Sequence, residues 1–297
     1  MKHAYLIMAH NEPYILEKLL KLIDYTDNDI FLHIDKKSHD LKKEEIAKWV
    51  NKSNLYFIPR MDLRWGTNSL INCTLNLLEL AVNHKHYAYY HLISGVDLPL
   101  KNQEEIHSFF DKNMGREFVH FYSHKDIDER RLERVKYYHI FSGNLKSKSK
   151  IKRIISSKLY YNFLKIQKKL KVNRVKNKKY MFGAEWFSIT DDLARYIVSK
   201  KKEIEKEYKY TSCCDELFIQ TLVYNSKFYD NLYLKKDDAY EAAMRCIDWT
   251  RGDPYTFREE DFKMLMKSGM FFARKFSTNV DKKIIDLIYE KVSNKRQ

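Results

Sequence analysis

The sequence predicts an α/β fold: a mostly parallel central sheet with helices on both faces, in a single domain that carries one basic insertion. Three observations lead there. Apolar runs of strand length alternate with runs of helical period through roughly the first hundred residues, the pattern of a parallel sheet wound with crossover helices. The early strands stop at polar clusters, HNEP after HAYLIM, DKKS after DIFLHI and SGVD after YYHLI. A chain of 297 residues that is 44% hydrophobic can also supply one large core.

His3–Met8 is a first buried strand, broken by Ala9-His10-Asn11-Glu12-Pro13, after which Tyr14–Ile23 (YILEKLLKLI) has the spacing of an amphipathic helix. Asp29–Ile34 is the second strand and ends in Asp35-Lys36-Lys37-Ser38. Leu55–Ile58 is a short third strand; Pro59-Arg60 and a loop holding Trp65-Gly66 then lead into a long helix over Ser69–His84. Tyr89–Ile93 is aromatic and branched, as a strand covered on both faces should be, and Ser94-Gly95 turns it. Asp97 therefore stands at a strand's carboxyl end, where open α/β sheets bind ligands. An Asp that only caps its own turn reads equally well. Pro99 blocks continuation, Gln103–Phe110 is a helix with Glu104 and Glu105 near its positive end, and a strand is expected near Glu117–Phe121.

After Tyr138 the composition changes. Lys146–Lys179 holds fourteen Lys and Arg and no Asp or Glu, with Ile154, Leu159, Tyr160, Tyr161, Phe163 and Leu164 between them. This insertion, taken as 139–179, suits an anionic membrane surface better than an inert solvated loop. The whole chain has a formal charge of +15, which implies an anionic partner without choosing one. Order returns in MFGAEWFSIT, a strand carrying Glu185 and Trp186, followed by a capped helix over Asp191–Ser199. Asp215–Tyr224 is helical in period with Asp215 and Glu216 in its first turn, and a last helix begins near Asp281.

The four cysteines lack a CxxC spacing and read as reduced thiols. The amino terminus has too short an apolar run for a signal peptide, and no stretch of about 20 apolar residues could span a bilayer. A soluble or peripheral, cytoplasmic protein is expected.

Asp215 and Glu216 at a helix start have a plain explanation in the helix dipole. Their context adds a second one, because a carboxylate facing a sugar hydroxyl can serve as general base while Arg251 and Lys275 balance the charge on a departing nucleoside diphosphate. Several separated stretches carry a resemblance: AYLIMAHNEP, FLHIDKKS, RWGTNSLINCTLNLLELA, YYHLISGVDLPLKNQEEI, FGAEWFSIT, DELFIQTLV and FFARKF. In that order they are similar to the core-2/I-branching glycosyltransferases, which include β-1,6-N-acetylglucosaminyltransferases and peptide O-xylosyltransferases. The resemblance covers most of the chain except the basic insertion.

It implies a GT-A-like fold in one domain, with a nucleotide-sugar half over residues 1–122 and a catalytic and acceptor half over 180–297. It implies inverting, single-displacement transfer from a UDP-sugar, with no cofactor and no divalent metal. The family's base falls on Glu216 and its basic diphosphate contact on Lys275. The companion Arg falls on Arg251 across a one-residue gap, which leaves Arg245 and Arg258 open. Asp35 and His10 fall on the nucleotide side, and Asp97 where metal-dependent relatives of the fold carry a DxD. Here the segment is SGVD, one carboxylate beside an apolar Val96, so a bidentate metal clamp is not expected. Trp65, Glu185, Trp186 and Asp215 are candidates for the acceptor side.

The expected donor is UDP-N-acetylglucosamine, with UDP-xylose, UDP-galactose and UDP-galactofuranose as alternatives. The expected acceptor is a glycan or lipid-linked glycan of a bacterial surface polysaccharide, met at the cytoplasmic face of the membrane. A nucleic-acid-binding protein and a non-catalytic membrane adaptor rank below the enzyme; no nucleic-acid motif accompanies the basic run.

Overall fold

The computed structural model describes residues 1–123, 129–145, 147 and 149–294. Among them the strands are β1 (His3–Ala9), β2 (Asn28–Ile34), β3 (Asn54–Phe57), β4 (Tyr89–Ser94), β5 (Leu98–Pro99), β6 (Ser188–Thr190), β7 (Arg245–Ile247) and β8 (Phe272–Arg274). A five-stranded sheet runs β3-β2-β1-β4-β6. Its first three pairings are parallel, and only β6 lies antiparallel, at the edge beside β4. The mostly parallel sheet expected from sequence is thus present. A second sheet, β5-β8-β7, is built from strands of two or three residues.

Because successive side chains of a strand point to opposite faces, β1 feeds two cores. Leu6 and Met8 pack with Leu75 and Leu78 of the helix Ser69–His84 and with Leu193 and Ile197 of the helix Asp191–Ser199. Tyr5 and Ile7 pack on the other side with Leu16 and Leu19 of the helix Pro13–Ile23, Ile106 and Phe110 of the helix Gln103–Lys112, and Ile284 and Ile288 of the helix Lys282–Ser293. Each such aliphatic side chain contributes about 1.5–3 kcal/mol by leaving water. Both faces of the sheet are therefore covered by helices drawn from the beginning, middle and end of the chain, which share one pair of cores.

Three local expectations change. Glu117–Phe121 forms no strand; only single bridges pair Glu117 with Leu232 and Phe118 with Ser188. MFGAEWFSIT is extended only at its end, in β6. Asp215 and Glu216 lie in a 3-10 turn, Cys214–Glu216, and the α-helix starts at Phe218. The cause is Cys213, whose left-handed backbone, φ 49°, turns the chain just before the pair.

The basic insertion is built around the helix Lys150–Lys169; Lys146 and Lys148 of the predicted run lie outside the described residues. Among the described residues no helix is long and apolar enough to cross a membrane.

Gly183 is fixed by close approach. A Cβ there would sit 1.9 Å from the His120 carbonyl oxygen, while the Gly183 N–H donates to the Glu216 carbonyl at 3.0 Å. Gly183→Ala should cost about 2 kcal/mol or more of stability, since forced overpacking meets backbone here. Thermal unfolding checks this, and an unchanged midpoint would contradict the geometry.

Candidate functional site

The sheet changes direction of build-up between β1 and β4: the chain adds β2 and β3 on one side of β1, then returns to place β4 on the other. Crevices at such switch points, outside the carboxyl ends of the strands, are where open α/β sheets bind ligands. His10 follows β1, Asp35 follows β2 and Asp97 follows β4, so the topology gathers these three predicted residues.

Asp35 is buried, and its carboxylate accepts from the Lys37 N–H at 2.8 Å and the Leu63 N–H at 3.1 Å, with the Lys37 ammonium 3.7 Å away. It therefore holds the loop before Trp65 against the end of β2. His10 remains accessible to solvent. Partial desolvation lowers its pKa; Asp35 opposes that, while Lys37 and Arg274 add to it. Asp97 is buried and caps its own turn, accepting from the Ser94 N–H at 3.0 Å and from the Ser94 hydroxyl. Burial raises its carboxyl pKa against the pull of Arg274, whose Nε lies 3.6 Å away. Asp97 is thus a turn cap, one of its two sequence readings, with the Arg274 guanidinium beside it.

Arg274 comes from β8 and lies across Trp186, 4.1 Å from the ring centroid. Lys275 follows it. The Lys275 N–H reaches the Tyr255 carbonyl at 3.5 Å and the Lys275 carbonyl accepts from Phe257 at 3.0 Å, so its backbone is held on both sides. No carboxylate among the described residues pairs with its ammonium. Arg251 stacks 4.0 Å over the Tyr255 ring and ion-pairs with Asp248 at 2.6 Å and Asp261 at 2.8 Å. Tyr255 thus brings Arg251 and Lys275 to one loop pair, although two carboxylates already share the Arg251 charge. Of the alternatives to Arg251, Arg245 is buried and donates to the carbonyls of Ala243 and Phe187 and to the Ser188 hydroxyl. It is a structural cation between the sheets. Glu12 ties the β1 loop to this region, accepting from the Ser277 hydroxyl at 2.7 Å and the Thr278 hydroxyl at 2.6 Å.

Glu216 lies on a cavity of about 290 Å³ lined also by Tyr122, Arg131, Arg134, Phe182, Tyr240 and Trp249. Its side chain is one-third exposed, and Oε2 accepts from Arg134 Nη1 at 2.9 Å. Arg134 belongs to the helix Glu129–Lys136 and also donates to the Cys213 carbonyl at 3.3 Å, while its own carbonyl accepts from the Ser212 N–H at 3.1 Å. The turn carrying Glu216 is fixed from the other side by Gly66, whose carbonyl accepts from Cys213 at 3.1 Å. Trp65 itself is 62% exposed, on the surface beside that turn.

Asp215 and Glu185 stand behind Glu216. Asp215 is buried with Oδ1 lacking a hydrogen-bond partner among the described residues, and Glu185 Oε1 is in the same state. Burial and the Glu216 charge push the Asp215 carboxyl up to about 7. Burial and Asp215 raise Glu185 well above the usual carboxylate range. Arg274 acts on Glu185 in the opposite direction, so Glu185 links the Glu216 cavity electrostatically to the Arg274 side. A folded-state pKa raised above the unfolded value means the native protein holds a proton the unfolded chain has lost. The contribution of Asp215 to stability therefore falls as pH rises from about 4 to about 7, by at most about 1.4 kcal/mol per pH unit. Asp215→Asn should raise the unfolding midpoint at pH 8 and change it little at pH 4; an equal shift at both would show that the carboxyl is not protonated in the fold.

Sequence reading missed Arg131, Arg134, Tyr122, Phe182, Tyr240 and Arg274. Among the described residues no group of three or more His, Cys, Asp or Glu is placed to hold a metal ion.

With known proteins the chain shares low identity over nearly its whole length. It is 23% identical to xylosyltransferase 2 of Rattus norvegicus over 96% of this chain and 33% of that protein. It is likewise 23% identical to a xylosyltransferase of Ciona intestinalis over 95% of this chain and 33% of that one. The chain thus spans about a third of the length of these relatives. Among solved structures, mouse xyloside xylosyltransferase 1 aligns at 9% identity and a TM-score of 0.35, over 91% of this chain and 96% of that one. The family model described as Core-2/I-Branching enzyme matches residues 3–267, which takes in all the resembling stretches of the sequence except FFARKF. The chain belongs to the Core-2/I-Branching enzyme family, a family of glycosyltransferases.

Proposed function

We propose that this protein is an inverting glycosyltransferase that moves a sugar from a UDP-sugar to a glycan acceptor, with Glu216 as general base. The observation that carries this reading is the Glu216 carboxylate at the wall of a cavity of about 290 Å³ lined by aromatic rings and arginines. Aromatic faces stack on sugar rings, and the Arg134 guanidinium, 2.9 Å from Oε2, fixes the orientation of the Glu216 carboxylate. As the acceptor oxygen bonds to the anomeric carbon, Glu216 takes the hydroxyl proton and the bond from that carbon to the diphosphate oxygen breaks. The electron pair leaves with UDP. Lys275 and Arg251 stabilise its growing negative charge, and His10, Asp35 and Asp97 frame the nucleotide side at the switch point. Trp65, Glu185, Trp186 and Asp215 shape the acceptor side.

Metal independence forms part of the proposal. What supports it is the occupation of the Asp97 carboxylate by Ser94 and the nearby Arg274, a fixed cation beside the position that a metal-binding carboxylate would use. UDP-N-acetylglucosamine is the donor first in line. UDP-xylose is the second reading, favoured by the xylosyltransferase relatives. The acceptor belongs to bacterial surface polysaccharide synthesis, as a glycan or lipid-linked glycan at the cytoplasmic side of an anionic membrane. Release of UDP is the test, measured over UDP-N-acetylglucosamine, UDP-xylose, UDP-galactose and UDP-galactofuranose with and without EDTA. EDTA-resistant release from one donor is expected. Release abolished by EDTA would overturn metal independence, and absence of UDP binding would overturn the reading as a whole.

A further inference from the structure

We infer that the exposed face of the helix Lys150–Lys169 is a docking surface for an anionic lipid bilayer, independent of which sugar is transferred. Ile151, Ile155, Leu159, Ile166 and Leu170 are separated by four or seven residues, which places them on one face. That face is bare, with Ile151 at 71%, Ile155 at 54%, Leu159 at 48% and Ile166 at 54% exposure. Lys152, Lys158, Lys165 and Lys169 flank it and are exposed. No acidic residue among those described pairs with any of the four. An apolar stripe between lysines has the composition of a helix lying in a headgroup layer, with aliphatic side chains below and ammonium groups at the lipid phosphates.

The opposite face is where the helix meets the rest of the protein. The Gln167 amide clasps the Tyr138 backbone at 2.7 and 2.9 Å, the Tyr160 hydroxyl meets His139 Nδ1 at 2.8 Å, and the Phe163 and Phe141 rings lie 5.7 Å apart. Beyond the helix, Arg174 donates to the carbonyls of Glu207 and Lys209 at 3.1 and 2.8 Å. The same stretch continues backward into the helix Glu129–Lys136, whose Arg134 holds Glu216. A bilayer under the apolar stripe would thus have the Glu216 cavity tethered to it through a short, hydrogen-bonded path.

Charge and chemistry select lipid over other occupants. A single-stranded nucleic acid is gripped by aromatic faces stacked on bases, whereas this stripe is aliphatic. A second copy would set one lysine-rich face against another.

The test is co-sedimentation of the full chain with vesicles of mixed phosphatidylcholine and phosphatidylglycerol, with thermal unfolding as the check that variants are folded. Replacing Lys152, Lys158, Lys165 and Lys169 by Gln should lower partitioning by about fivefold per lysine at low salt. The triple change Ile155→Ser, Leu159→Ser, Ile166→Ser should lower it at least about tenfold while leaving the charge intact. Leu159→Trp should be quenched by brominated lipid. Wild-type partitioning by either folded multiple variant, an unquenched Leu159→Trp, or self-association abolished by the serine changes would each overturn the inference. So would binding to single-stranded RNA more tightly than to the vesicles.

Discussion

Glu216→Gln should lower turnover by about 10²–10⁴-fold, the usual contribution of a positioned general base, with UDP affinity unchanged. The amide keeps the shape of the side chain and one oxygen that can accept from Arg134 Nη1, now at 2.9 Å from Oε2, so the turn between Cys213 and Phe218 should stay in place. What it loses is the capacity to take a proton. Single-turnover kinetics with the donor identified by UDP release, beside calorimetric UDP binding, separates the two effects. Near-normal turnover would remove Glu216 from the base role and move attention to Asp215, the other carboxyl of the turn. Loss of UDP binding together with turnover would point instead to a disturbed fold.

The centre of the sheet was legible because β1, β2 and β4 are buried on both faces and therefore read as mostly apolar runs; HAYLIM, DIFLHI and YYHLI all appear where expected. Their ends were legible for the same reason, since a polar cluster after such a run has few places to go but the edge of the crevice. The second sheet was not. Strands of two or three residues, such as β5 and β7, are too short to show any period, and they form because β8 lies between them rather than from local preference. Glu117–Phe121 erred in the opposite direction, its composition suiting a strand while the fold offers only isolated bridges.

The candidate site divides in the same way. Asp35, Asp97 and Glu216 stand beside turns that sequence marks, so motif position finds them. Arg134 is 82 residues before Glu216 in the chain, in a run of alternating charges where every Arg and Glu looks solvated. Only tertiary contact singles it out. Arg274 was hidden by its neighbour: in FFARKF the resemblance points to Lys275, while the half-buried side chain set against Trp186 and Asp97 is the preceding one.

For Lys275→Ala the expected loss is about 10²-fold in kcat/KM and about tenfold in UDP affinity. The backbone of Lys275 is held by Tyr255 and Phe257, and its ammonium has no carboxylate partner among the described residues, so truncation should leave the unfolding midpoint nearly unchanged. The charge it removes matters more in the transition state than in the bound donor, because negative charge on the diphosphate grows as the glycosidic bond breaks. Turnover should therefore fall further than binding. Arg251→Ala offers the contrast: that guanidinium joins Asp248 to Asp261, so its loss should lower stability as well as affinity. Lys275→Arg should recover only part of the activity, since a planar fork does not reproduce a compact point charge. Equal losses in binding and turnover for Lys275→Ala would make the lysine a ground-state contact, and unchanged UDP affinity with unchanged kcat/KM would remove it from the diphosphate site.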